Sequence, residues 1–296
     1  MTTRSRAELA LFSTTFIWGS TFVVVKAGSL NISPSLFIAL RFGIGALIFG
    51  LLMFKQLKHI QYQTVKKGLI LGIMLGVGIL IQNFGIYQTT ASKSAFITGL
   101  MVIFTPIAQL ILERRPPKLG NIIGIIIVTY GLYLLTSPSG SEINYGDILV
   151  LISAFIFGVY IVYLDIYSKN EHVLHLAFIQ VAVTTIIAAC AVTFEQIVFV
   201  PTTLLLLSLI YMGICATVFS TYVQTRFQKD TTPTRAVIIF TIEPVIAAVL
   251  AYFALGEILG MTGIIGAVVI VSGILISEFL DIIIDKVGNK LQTAEE

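Results

Sequence analysis

Charge is scarce in this sequence. Asp, Glu, Lys and Arg make up 11% of its 296 residues, against about a quarter in a soluble globular domain. A water-soluble chain is excluded, and nothing indicates a nucleic-acid partner. There are 2 cysteines, Cys190 and Cys215, each inside an apolar stretch, so they read as small buried hydrophobes rather than a disulfide or metal framework. The 3 histidines, His59, His172 and His175, fall in expected cytoplasmic loops. No H-E-x-x-H motif and no pair of carboxylates on one apolar helix face is present, so no catalytic residue, metal or cofactor is expected. An intramembrane enzyme remains a remote alternative. The opening apolar run lacks an A-x-A cleavage site and is about twenty residues long, which suits a retained first membrane helix. No loop is long enough to be a soluble domain.

What the sequence has is apolar length. Hydrophobic residues reach 57%, and a spanning helix needs roughly 20 of them in a row. The expected spans are 9–25, 35–54, 68–87, 94–112, 119–135, 148–167, 173–194, 204–224, 236–255 and 262–276. With the amino terminus inside, 15 of the 18 Lys and Arg residues fall in cytoplasmic segments, leaving Lys26, Arg41 and Lys93 outside or in the outer half. That bias is the positive-inside pattern and puts both termini in the cytoplasm. The lipid bilayer is the first partner the sequence implies.

Sliding the chain along itself exposes a second copy displaced by about 139 residues. "FIWG" at 16–19 lies over "FIFG" at 155–158, Glu8 over Asp147, Arg41 over Gln180, Thr105-Pro106 over Glu243-Pro244, and "GIIIVTYG" over "GAVVIVSG". Five helices is an odd number, so the second copy enters the membrane from the opposite face. The expectation is an all-α integral membrane protein of ten transmembrane helices in two inverted-topology five-helix repeats. The repeats are 8–136 and 147–277, followed by a cytoplasmic tail over 278–296. Inverted repeats are the architecture of secondary carriers, because two similar halves can exchange conformations about a central site. Gly68, Gly72 and Gly76 form two overlapping G-x-x-x-G spacings, a face for close helix packing.

"FIWGSTFVVVK", "ALRFGIGALI" and "TPIAQLILERRPPKLGNIIGIIIVTYGLYLLT" in the first half resemble the ten-helix EamA-type transporters of the drug/metabolite transporter superfamily. So does "YVQTRFQKDTTPTRAVIIFTIEPVIAAVLAYFALGEILG" in the second. The resemblance covers essentially the whole chain. It departs at Thr105, where many family repeats carry glutamate, at Lys93-Ser94, in a shortened "LERRPP" turn, and at Phe157, where tryptophan is frequent. The resemblance implies movement of small polar metabolites, amino acids or related compounds, outward across the bacterial inner membrane. An uncoupled facilitator or channel-like permease is the alternative.

An ionised side chain inside a span costs about 2.5–3.5 kcal/mol on insertion scales, so those that persist face a cavity or a partner. Arg41 and Glu243 are such residues, each about 10 Å from the start of its span at 1.5 Å per residue. Glu243 suits an ammonium ligand or a proton carrier, and equally a fixed acceptor beside Pro244. Arg41 offers a planar fork for a carboxylate, or a structural cation. Trp18, Gln82, Asn83, Tyr87, Tyr160, Gln180 and Gln224 complete the candidate substrate ligands, each with interhelical hydrogen bonding as its competing role. Pro106 and Pro244 are expected to bend equivalent helices. Lys26 is expected to snorkel to the outer interface. Proton coupling and oligomeric state stay open.

Overall fold

A computed structural model describes residues 2–136, 143–258 and 260–295; most of the expected turn "TSPSGSEINYG" lies outside them. Among the described residues every named element is helical, and one isolated antiparallel bridge joins Ile32 and Phe199. The helices are α1 (Thr3–Gly28), α2 (Pro34–Met53), α3 (Tyr62–Gln88), α4 (Ala91–Glu113), α5 (Leu119–Thr136), α6 (Tyr145–Ser168), α7 (Val173–Val192), α8 (Thr203–Asp230), α9 (Pro233–Leu255) and α10 (Met261–Glu295). Among the described residues eight, α1–α4 and α6–α9, are long and apolar enough to cross a membrane. Leu119–Leu134 in α5 and Met261–Ser277 in α10 are shorter apolar stretches. α10 stays helical through the segment expected as a tail.

Helices begin before the apolar runs do. α1, α4 and α9 start at Thr3, Ala91 and Pro233 instead of the expected 9, 94 and 236, because Thr2, Thr90 and Thr232 cap polar first turns. Their hydroxyls accept from the N–H groups of Ser5, Lys93 and Arg235, worth about 1 kcal/mol each. At α6 Asn144 and Asp147 form a reciprocal capping box. Apolar side chains such as Leu47, Leu51, Ile186, Phe253 and Val268 are exposed, as helices facing lipid require.

Glycine sets the closest approaches. A Cβ on Gly68, Gly72 or Gly76 of α3 would lie 2.7, 2.6 or 2.9 Å from Ile179, Val183 or Ile187 of α7, so the two overlapping spacings form the notch for one ridge of α7. A Cβ on Gly131 of α5 would meet Ile270, and one on Gly273 of α10 would meet Ile127 and Val128. Gly19 of α1 sits against Ile246 and the Glu243 carbonyl of α9, while Gly158 of α6 sits against Phe104 and the Thr105 nitrogen of α4.

Two helices are interrupted. α4 is helical over Ala91–Gly99 and again over Met101–Glu113, and α9 over Pro233–Phe240 and Glu243–Leu255. At the α9 break the N–H groups of Thr241 and Ile242 donate to the carbonyls of Ile238 and Ile239, tightening the last turn. Pro244 then falls in the first turn of the second segment, where a missing N–H is tolerated. The α4 break is at Leu100, while Pro106 lies inside the helix Met101–Glu113, so the break stands further ahead of the proline in α4 than in α9. The interruptions meet, since a Cβ on Gly99 would be 3.1 Å from Pro244 Cγ. Lys26 donates to the carbonyls of Ile86 and Tyr87, 3.3 Å each, at the C-terminal end of α3, where the helix dipole favours a cation. One further expectation is revised. Cys190 is exposed and Cys215 half-buried, so neither is a core residue.

Candidate functional site

The breaks in α4 and α9 border a cavity of about 100 Å³ at the centre of the bundle. A single water occupies roughly 10–15 Å³ of such space, so the cavity accommodates a solute of several heavy atoms. Trp18, Phe22, Phe42, Phe157, Tyr160 and Phe240 form much of its wall, and Arg41, Gln82, Thr98, Gln224 and Glu243 supply polar groups.

Glu243 is the first residue after the α9 break, which leaves Pro244 in the first turn, where its missing N–H needs no carbonyl partner. The carboxylate is buried and its Oε1 has no hydrogen-bond partner. Arg41, on α2, is buried too, but it is engaged. Its Nε donates to Thr217 Oγ1 at 3.0 Å, its Nη2 to the Ala216 carbonyl at 3.5 Å, and the guanidinium lies 5.0 Å from the centre of the Phe42 ring. Arg41 and Glu243 line the same cavity without forming an ion pair with each other.

The acceptors of Arg41 come from an irregularity in α8, a π-helical segment over Met212–Phe219. Widened turns of this kind alter the carbonyl ladder and recur at functional sites. Trp18 Nε1 also donates to the Ala216 carbonyl, at 3.3 Å, while its ring meets Phe240 edge-on at 5.3 Å. Gly213 lets α8 approach α2 closely: a Cβ there would be 2.7 Å from Ile44 and 3.3 Å from the Arg41 carbonyl.

Of the residues nominated from sequence, Trp18, Arg41, Gln82, Tyr160, Gln224 and Glu243 line the cavity. Gln82 donates to Thr98 Oγ1 at 2.9 Å, and Gln224 to Gln228 Oε1 at 3.1 Å. Asn83, Tyr87 and Gln180 are not in the lining. Asn83 donates to the Ile79 carbonyl within its own helix, and Tyr87 donates to the Ile32 carbonyl at 2.8 Å at the end of α3. Gln180 stands behind the wall, accepting from the Tyr160 hydroxyl at 2.7 Å and donating to the Leu176 carbonyl. Thr21, Thr98, Met101 and Thr221 line the cavity without having been nominated. Threonine and methionine in an apolar helix carry no signal that separates a cavity face from a packed one. Among the described residues no group of three or more His, Cys, Asp or Glu could hold a metal ion.

A bundle of spanning helices around a small cavity that holds a buried acid and a buried base defines the class as a multi-pass membrane transporter. The chain matches the EamA-like transporter family over residues 5–137 and 144–279, and it belongs to that family. It is 31% identical over 273 residues to an "Uncharacterized transporter" of Archaeoglobus fulgidus, covering 92% of this chain and 86% of the relative. With the "Uncharacterized transporter YoaV" of Bacillus subtilis it shares 25% identity over 93% of this chain and 97% of that one. A solved crystal structure superposes with a TM-score of 0.77 at 17% identity, over 94% of this chain and 98% of the other, a likeness of fold. The protein is therefore a secondary transporter of small molecules in the cytoplasmic membrane, and not an enzyme.

Proposed function

We propose that the chain is a carrier of small polar metabolites, amino acids or related zwitterions, working by alternating access between two inverted five-helix halves, 8–136 and 147–277, with both termini cytoplasmic. The observation that carries this reading is the unpartnered Glu243 carboxylate oxygen in the same cavity as Arg41. A buried acceptor without a donor costs roughly 1–3 kcal/mol, more when charged, and a solute ammonium, or a proton, supplies what is missing. The opposite end of a zwitterion then falls toward Arg41, whose fork suits a carboxylate.

The glycine contacts support the two-half architecture. Gly19 and Gly158 occupy corresponding positions in the repeat, and each meets the corresponding stretch of the opposite half, around Glu243 in one case and Thr105 in the other. α5 and α10 likewise face each other through Gly131 and Gly273. Outward movement is the direction the family resemblance implies.

Counterflow in proteoliposomes, scanning amino acids and amines, tests the proposal. The expected result is saturable exchange that Glu243→Gln reduces by roughly tenfold or more, equivalent to about 1.4 kcal/mol of lost interaction. Flux rising linearly with solute concentration would make the protein a channel, and Glu243→Gln transport unchanged at every external pH would remove both the ammonium and the proton roles of this residue.

A further inference from the structure

Glu8 and Asp147, which the repeat places over one another, each anchor an ion pair. Glu8 Oε1 accepts from Arg235 Nε at 2.7 Å, from Thr231 Oγ1 at 3.2 Å and from Arg4 Nε at 2.9 Å. Asp147 Oδ2 pairs with Lys93 Nζ at 2.6 Å, and its Oδ1 accepts from Thr89 Oγ1 at 2.8 Å. The partners correspond as well. Lys93 and Arg235 are each the third residue of an interrupted helix, α4 and α9, and each N–H donates to the capping threonine, Thr90 or Thr232. Thr89 and Thr231 each directly precede that cap. A carboxylate at the start of α1 or α6, a threonine before the cap and a cation in the first turn recur in one order, in both halves of the chain.

The two clusters lie at opposite ends of the bundle. Glu8 is near the beginning of α1 and Lys26 near its end, about 27 Å away at 1.5 Å per residue; Lys26 reaches the carbonyls of Ile86 and Tyr87, and Thr89 lies two residues beyond Tyr87. Each cluster also joins the two halves, α1 to α9 on one face and α6 to α4 on the other. All four charged side chains are shielded, with exposures of 14% for Glu8, 6% for Arg235, 4% for Asp147 and 17% for Lys93. Pairs that are largely desolvated depend strongly on keeping both partners, unlike surface pairs.

We propose that these clusters are the two latches of the transport cycle: Glu8–Arg235–Thr231 holds the cytoplasmic side closed and Asp147–Lys93–Thr89 holds the outer side closed. The proposal rests on the alternating-access reading above. A contact present only while its side is closed biases the population toward that state, so removing a carboxylate favours opening on its own side. The inverted repeat makes the two effects opposite in sign.

The test uses the full chain with Cys190 and Cys215 replaced by serine and a single reporter, Thr21→Cys, in the cavity wall. A charged, membrane-impermeant maleimide is applied to right-side-out and to inverted vesicles. Glu8→Gln is expected to raise labelling from the cytoplasmic side at least threefold and lower it from outside, with Asp147→Asn doing the reverse. Thr231→Val and Thr89→Val, which remove a single hydroxyl from each latch and leave the charges in place, are expected to shift labelling the same two ways by a smaller factor, covering the case in which a charge variant does not fold. Shifts of both variants toward one side, or no shift in either pair, overturn the latches. Saturable counterflow by the parent chain distinguishes the two readings: if it persists while sidedness does not move, the latches fail and the carrier stands. If counterflow is absent while the opposite shifts occur, the latches stand and the carrier reading fails.

Discussion

α4 and α9 are interrupted in the same manner and end differently. Both begin with a threonine cap, carry a cation in the first turn, break beside the central cavity and continue past a proline. At the matching position α9 has Glu243 and α4 has Thr105. Both side chains are buried, and each leaves an oxygen without a partner, Glu243 Oε1 and Thr105 Oγ1. Only Glu243 reaches the cavity lining. An interrupted helix is therefore a shared scaffold, while chemistry is placed on one copy, and the desolvation of one carboxylate is easier to sustain than that of two facing each other.

The comparison breaks most visibly if the two positions prove interchangeable. Glu243→Ala is expected to abolish counterflow, whereas Thr105→Ala is expected to leave the rate within about twofold, since an unpartnered hydroxyl contributes little when removed; equal losses would mean that the site uses both copies. Next in size is Arg41→Lys. The single ammonium cannot reproduce the fork that spans Thr217 and the Ala216 carbonyl, so the apparent affinity for a carboxylate-bearing solute should weaken roughly five- to tenfold, with little change for a simple amine.

Scaffold equivalence is sharpened by Gly19→Ala and Gly158→Ala. Either added methyl would fall 2.8 Å from a neighbouring side chain, Ile246 or Phe104, and overpacking of this kind costs about 1–3 kcal/mol. Comparable drops in detergent melting temperature are expected, and a large disparity would contradict equivalent packing. The smallest effect concerns Glu171, in the turn between α6 and α7. Burial pushes its carboxyl upward, but hydrogen bonds from Lys67, at 2.6 Å, and from Thr64 prevail and hold it below the usual carboxylate range. A depressed carboxyl stabilises above its unfolded pKa and loses that contribution as pH falls through the folded value, so Glu171→Gln should be less stable than wild type at pH 7, and the difference between the two should shrink as the pH is lowered toward 3.

Much of this protein was legible in its sequence. Scarce charge and long apolar runs decided for a membrane, because the bilayer core cannot solvate an unpaired polar chain. The recurrence of the Pro pair and of Glu8 over Asp147 disclosed two related halves, and an isolated carboxylate in an apolar helix singled out Glu243. What the sequence could not provide was direction around each helix. In a soluble helix the polar face marks the outside, but here lipid and core are equally apolar, so no periodicity told that Gln82 and Gln224 face the cavity while Asn83, Tyr87 and Gln180 do not. The break at Leu100, the π segment that hands the Ala216 carbonyl to Arg41 and Trp18, and the pairing of Lys93 with Asp147 and Arg235 with Glu8 were likewise decided in three dimensions. Each depends on helices distant in the chain meeting at one depth and one rotation, and that is fixed by glycine notches and packing rather than by local residue preference.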